Sequence, residues 1–185
     1  MDLRISKIVS DFLNGKIENS DFEEWIYSEK SLEDILGNEL YIELISLDFK
    51  DKSIKNHISN LVESKINYGN LHKQEIIELI DNTLEKQIPL MKIISSFYDW
   101  ATKGYLFLGR IDVIGNFGEQ GKSIVHIIDD SMTEGEKWGK LLEVEPDFLS
   151  YIKEIKANLM NGKVVLTGEK ENFDFIGTQY KFIEN

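Results

Sequence analysis

The chain has 185 residues, 42% of them hydrophobic and 29% charged, a globular balance long enough for one domain or two small ones. Its 33 acids against 21 bases give a net charge of −12, with three histidines and no cysteine. This charge argues against general phosphate binding, which rests on clustered Lys and Arg, and the missing thiols exclude disulfides and thiolate metal sites.

Leu3, Ile5, Ile8, Val9, Phe12 and Leu13 fall near 3.6-residue spacing, which predicts a helix stopped at Gly15. Met1 to Lys7 lacks the apolar core of a signal peptide, and no apolar run approaches the roughly 20 residues of a membrane span. A cytoplasmic location without membrane association is therefore expected. Ser20 followed by Glu23 reads as a capping box for a second helix with Phe22, Trp25 and Ile26 as its buried stripe. Ser31 with Asp34 repeats the start signal, and Gly37-Asn38 breaks the chain again. Leu40, Leu44 and Leu47 line the next helix, widened by Tyr41 and Ile45.

A further helix is predicted from Ser53 to about Ile66, ending at Tyr68-Gly69. Asn70 is the expected cap of the following one, which carries Leu71, Ile76, Ile77, Ile80 and Leu84. Pro89 marks a helix start or a bend before Ile93, Ile94, Phe97 and Trp100, and Lys103-Gly104 closes that helix.

After Gly104 the period drops to two. Strands are predicted over Tyr105–Ile114 and Ser123–Ile128, joined by the glycine-rich turn Gly115 to Gly121, with Lys140–Val144 as a third. Pro146 is read as the first residue of a helix reaching about Met160, stopped by Gly162, and Lys163–Thr167 and Phe173–Ile183 as a closing antiparallel pair. The expected fold class is α+β: a helical N-terminal half of about four to six helices, then a small antiparallel sheet with one covering helix. Residues 1–69 form an acidic helical domain and 70–185 an α+β domain in this reading, with an alternative boundary near 104.

Gly118-Glu119-Gln120-Gly121-Lys122-Ser123 is close to a phosphate-binding loop, but the first glycine of that motif belongs at position 116, which is Asn116. A predicted strand follows it rather than a helix, so no helix N-terminus is offered to phosphate, and a hairpin loop is the better reading. His57, His72 and His126 are far apart and form no metal pair. Calcium fares no better: a loop starting at Asp130 has Gly135 at its sixth position, but Met132 at the third and Leu141 at the twelfth. No metal or cofactor is expected.

One constellation stands out. Between Glu18 and Asp48 lie ten acids against the single base Lys30, a net charge of −9, whereas the helices from Lys50 to Lys92 are close to balance. Solvated helix faces and favourable helix N-termini account for Glu23, Glu24, Glu33 and Asp34. They do not account for the scarcity of balancing lysines, and a surface for a basic protein does. The candidate partner-binding residues are Glu23, Glu24, Glu33, Asp34, Glu39 and Glu43, with Trp138, between Lys137 and Gly139, as an exposed interface anchor.

Phe12-Leu13-Asn14-Gly15-Lys16-Ile17, followed by Ser20-Asp21-Phe22-Glu23-Glu24-Trp25, resembles the start of small bacterial immunity proteins of the colicin-immunity type. The shared pattern is a helix, an F-x-x-G-x-I turn and a second helix with an aromatic-rich face, and the resemblance covers residues 1 to about 87. It implies a stoichiometric inhibitor that binds a toxin domain, often a basic nuclease, through an acidic surface. The functional expectation is thus a non-catalytic protein-binding module for a basic toxin domain, binding neither nucleic acid nor membrane. The alternative is an enzyme with a site in the C-terminal sheet around His126, Asp129 and Asp130, which requires those side chains to converge.

Overall fold

A computed structural model of the chain describes residues 1–109, 131–173 and 177–185. The glycine-rich turn, the predicted strand Ser123–Ile128, His126, Asp129 and Asp130 lie outside the described residues. So do the side chains of Glu134, Trp138, Leu141, Val144 and Phe173. The fold is α+β, mainly helical, with a two-stranded antiparallel sheet at the C-terminus. The chain divides into two compact units, Met1–Leu71 and His72–Asn185. No helix among the described residues is long and apolar enough to cross a membrane.

The first unit contains α1 (Leu3–Leu13), α2 (Asn19–Ser28), α3 (Leu32–Leu36), α4 (Asn38–Ile45), α5 (Ile54–Val62) and a 3₁₀ turn, Glu63–Lys65. Asp2 caps α1 by accepting the Ile5 N–H at 2.8 Å, and Gly15 ends it with φ +77°. Ile5, Val9 and Phe12 bury the face that the spacing assigned to them. Phe12 stacks on Phe22 with ring centroids 3.9 Å apart, tying α1 to α2; truncating either ring in such a core costs about 3–5 kcal/mol. The predicted capping box of α2 does not form. That helix begins at Asn19, and the Ser20 hydroxyl lies beside Asp21 instead. Ser31 makes no capping bond either, because its hydroxyl donates to Glu29 at 2.6 Å.

Helix α6 (Tyr68–Leu84) starts two residues before the expected cap. Asn67 accepts the Asn70 N–H at 3.0 Å, so the capping side chain is Asn67, and Gly69 lies within the first turn rather than ending a helix. The second unit continues with α7 (Leu90–Thr102), α8 (Leu106–Gly109), α9 (Glu134–Met160), β1 (Val164–Phe173) and β2 (Gly177–Glu184). Its core joins Ile76 and Ile80 of α6, Ile93 and Phe97 of α7, Phe148 and Ile152 of α9, and Leu166 of β1.

Helix stands where strand was predicted at the start of Tyr105–Ile114, whose residues 110–114 lie outside the described residues, and across Lys140–Val144. Residues 106–109 form a single helical turn, with Tyr105, Phe107 and Leu108 buried and Leu106 exposed. Alternation over so few residues suits one turn of helix as well as a strand. Residues 140–144 belong to α9, which starts at a capping box: the Thr133 hydroxyl accepts the Glu136 N–H, and the Glu136 carboxylate accepts the Thr133 N–H. Pro146 is therefore inside a helix rather than at its start. The closing strands pair antiparallel, from Val164 opposite Glu184 to Phe173 opposite Gly177, with an irregularity between Leu166 and Lys170 where Gly168 has φ +74°.

Candidate functional site

The three helices of the acidic stretch bury apolar stripes and turn their carboxylates outward. On α2, Phe22 and Ile26 are fully buried; Glu24 lies across the helix from them and is exposed, and Glu23 flanks the stripe half-buried. On α3, Leu32 and Leu36 point inward, while Glu33 and Asp34 occupy the first turn and are exposed. On α4, Leu44 is buried, and the exposed Glu39 and Glu43, one turn apart, share a face. Five of the six predicted carboxylates thus reach solvent.

Glu29 is different. It accepts from Arg4 of α1 at 2.5 Å and from the Ser31 hydroxyl at 2.6 Å. Its side chain is 15% exposed, and these bonds hold its carboxyl at about 2, the Arg4 hydrogen bond contributing most. Among the described residues, Glu24, Glu33, Asp34, Glu39 and Glu43 enter no ion pair. Neighbouring carboxylates without counter-charges raise the local negative potential, which draws cationic surfaces in and repels anionic ones. The sequence did not reveal the Arg4–Glu29 pair, whose members are 25 residues apart. Tyr27 of α2 is 57% exposed. Its position between Ile26 and Ser28, off the Phe22–Ile26 stripe, is the signal that marks it.

Trp138 lies on α9 in the second unit, away in sequence from the acidic helices, and its side chain is outside the described residues. The groups of the alternative, His126, Asp129 and Asp130, are outside them as well. Of the remaining histidines, His57 is exposed beside Ser53 and Asp51. His72 is buried in the second unit, its Nδ1 2.7 Å from the Tyr105 hydroxyl, with the rings of Trp100 and Tyr180 4.8 and 4.5 Å away. Burial, with Lys103 and Lys170 adding to it, pushes the imidazole down to about 4; burial also pushes the Tyr105 phenol up. At neutral pH this is an uncharged pair within a packed aromatic cluster, poorly suited to general-base work near pH 7.

A groove of about 460 Å³ in the second unit is lined by Leu84, Ile88, Leu90, Leu142 and Leu149, with Lys86 and Glu145 among its polar groups. Among the described residues no group of three His, Asp or Glu side chains is placed to hold a metal ion. Comparison of the chain with protein-family models, curated proteins and solved structures gives no match.

Proposed function

We propose that this chain is a non-catalytic protein-binding module whose acidic helices, α2 to α4, receive a basic protein. The resemblance of its opening residues to immunity proteins makes a toxin domain the leading class of partner, with stoichiometric neutralisation as the activity. The observation that carries this reading is the outward set Glu24, Glu33, Asp34, Glu39 and Glu43, exposed and in no ion pair among the described residues. A soluble fold has little reason to concentrate like charges, whose mutual repulsion costs stability. A cationic partner turns that repulsion into attraction and speeds association. A cytoplasmic setting belongs to this proposal and suits a chain without cysteine.

The test uses the full-length chain as bait in its native lysate, beside a variant carrying Glu24→Lys, Glu33→Lys, Asp34→Lys, Glu39→Lys and Glu43→Lys. The reading requires a basic protein retained by the wild type and lost by the variant, associating about tenfold or more slowly between 50 and 500 mM salt. Binding that ignores both salt and charge reversal would remove the acidic surface from consideration.

A further inference from the structure

The acidic helices also carry apolar side chains that their own fold leaves uncovered. Tyr27 on α2 is 57% exposed and Ile42 on α4 is 50% exposed. The Tyr27 hydroxyl donates to the Ile45 carbonyl at 3.3 Å, so the ring reaches from α2 to the last turn of α4. Ile42 stands one turn before that carbonyl, on the neighbouring row of the same helix, and the Ser46 hydroxyl donates to the Ile42 carbonyl at 2.6 Å. The rim is anionic: Glu24 lies one turn before Tyr27, and Glu39 and Glu43 flank Ile42. A tyrosine already held by a hydrogen bond loses little rotamer freedom when a partner covers it. Aromatic anchors of this kind, at the centre of a polar rim, dominate the energetics of protein interfaces.

We propose that Tyr27 and Ile42 form the apolar centre of the interface, and that the partner is a cationic protein surface presenting an apolar side chain inside a ring of Lys or Arg. Charge complementarity commits the occupant: an apolar or acidic partner would leave Glu24, Glu39 and Glu43 desolvated without counter-charges. This rests on the acidic-surface reading and deepens it, since carboxylates steer the encounter while the apolar pair holds the complex. A partner that used charge alone would discriminate poorly among basic proteins.

Two 18-residue helical peptides of equal positive charge provide the probes, one with Leu at i, i+3, i+4 and i+7 spacing among Lys to give an apolar face, the other with every Leu replaced by Ser. Each is titrated against the isotope-labelled full-length chain at 150 mM salt, with binding read calorimetrically and mapped by amide chemical shifts. The expected result is about tenfold tighter binding of the Leu peptide, with shifts centred on Tyr27 and Ile42. Tyr27→Ala together with Ile42→Ser is expected to remove that advantage and leave the Ser peptide's affinity unchanged. Ile42→Ser alone, at a half-exposed position, gives part of the loss and guards against misfolding of the double variant. An advantage that survives these changes, or shifts centred elsewhere, overturns the apolar centre while leaving the acidic surface standing. If the Ser peptide also fails to bind, or binds without salt dependence, the acidic surface itself falls.

Discussion

His72 Nδ1 and the Tyr105 hydroxyl lie 2.7 Å apart in the interior of the second unit, joining α6 to the segment between α7 and α8 across 33 residues of sequence. Tyr105 is fully buried and His72 nearly so, with Tyr180 of β2 closing over them at 4.5 Å from the imidazole. One of the two groups donates to the other, which satisfies both without a charge.

This arrangement predicts acid sensitivity of a defined sign. The imidazole titrates at about 4 in the fold against 6.5 when exposed, so the unfolded chain takes up the proton first. Stability is unaffected by this group above pH 6.5 and is lost as pH falls from 6.5 towards 4, by about 3 kcal/mol in all at 1.36 kcal/mol per pH unit. Lys103, Lys170, Glu75 and Tyr180 also act on the pair. Urea unfolding of the full chain at pH 7, 6, 5 and 4 should show that slope. His72→Gln should be less stable at pH 7 and show a shallower decline below it; an unchanged decline would assign the loss to other groups.

Gly104 offers a second check on the same region. Its φ is +114°, and a methyl group there would overlap the Tyr180 carbonyl oxygen and stand 2.7 Å from the Tyr180 nitrogen. The close approach allows the Tyr180 N–H to donate to the Lys103 carbonyl at 2.7 Å, docking β2 onto the end of α7. Gly104→Ala combines backbone strain with a clash against backbone, for an expected loss of about 2–4 kcal/mol. Faster hydrogen exchange at the Tyr180 amide would place the damage at this contact, whereas unchanged protection would contradict the docking role.

In the first unit, Glu29 should titrate apart from its neighbours. Arg4 and Ser31 hold its carboxyl at about 2, so the contribution of this ion pair is present above pH 4.5 and lost as pH falls towards 2. Carboxyl carbon shifts followed by NMR should show that low midpoint, and Arg4→Gln should move it upward. A midpoint near 4 in the wild type would mean that Glu29 belongs with the free acidic surface.

What the sequence revealed is what depends on neighbours within a few turns. The helical stripe Ile5–Val9–Phe12, the stop at Gly15, the Phe22–Ile26 face and the closing strand pair all follow from local periodicity and turn chemistry. The solvent-facing carboxylates follow from the same stripes, being what remains when the apolar face is turned inward. Hidden from it were the pairings that only tertiary structure makes: Arg4 with Glu29, His72 with Tyr105, Tyr180 against Gly104. Hydroxyl caps failed where another acceptor was nearer, as with Ser31 and Glu29. Around residues 105–109 and 140–146, short apolar runs fitted strand and helix alike; Tyr105, Phe107 and Leu108 are buried at the first, and the second continues a helix that starts at the Thr133 capping box.

Pro146 works against the helix that contains it. It sits inside α9, where its ring nitrogen has no hydrogen for the Leu142 carbonyl four residues earlier. The helix nonetheless runs unbroken from Glu134 to Met160, because Phe148 and Ile152 just beyond the proline are fully buried and the capping box fixes the start. Packing outweighs propensity here. Restoring the hydrogen bond with Pro146→Ala should therefore stabilise the protein by about 1–3 kcal/mol, raising the melting temperature by several degrees. Thermal unfolding monitored by circular dichroism measures it directly. A fall in stability would mean that a bend at Pro146 is what seats Phe148 in the core, so that the proline contributes to packing rather than opposing it.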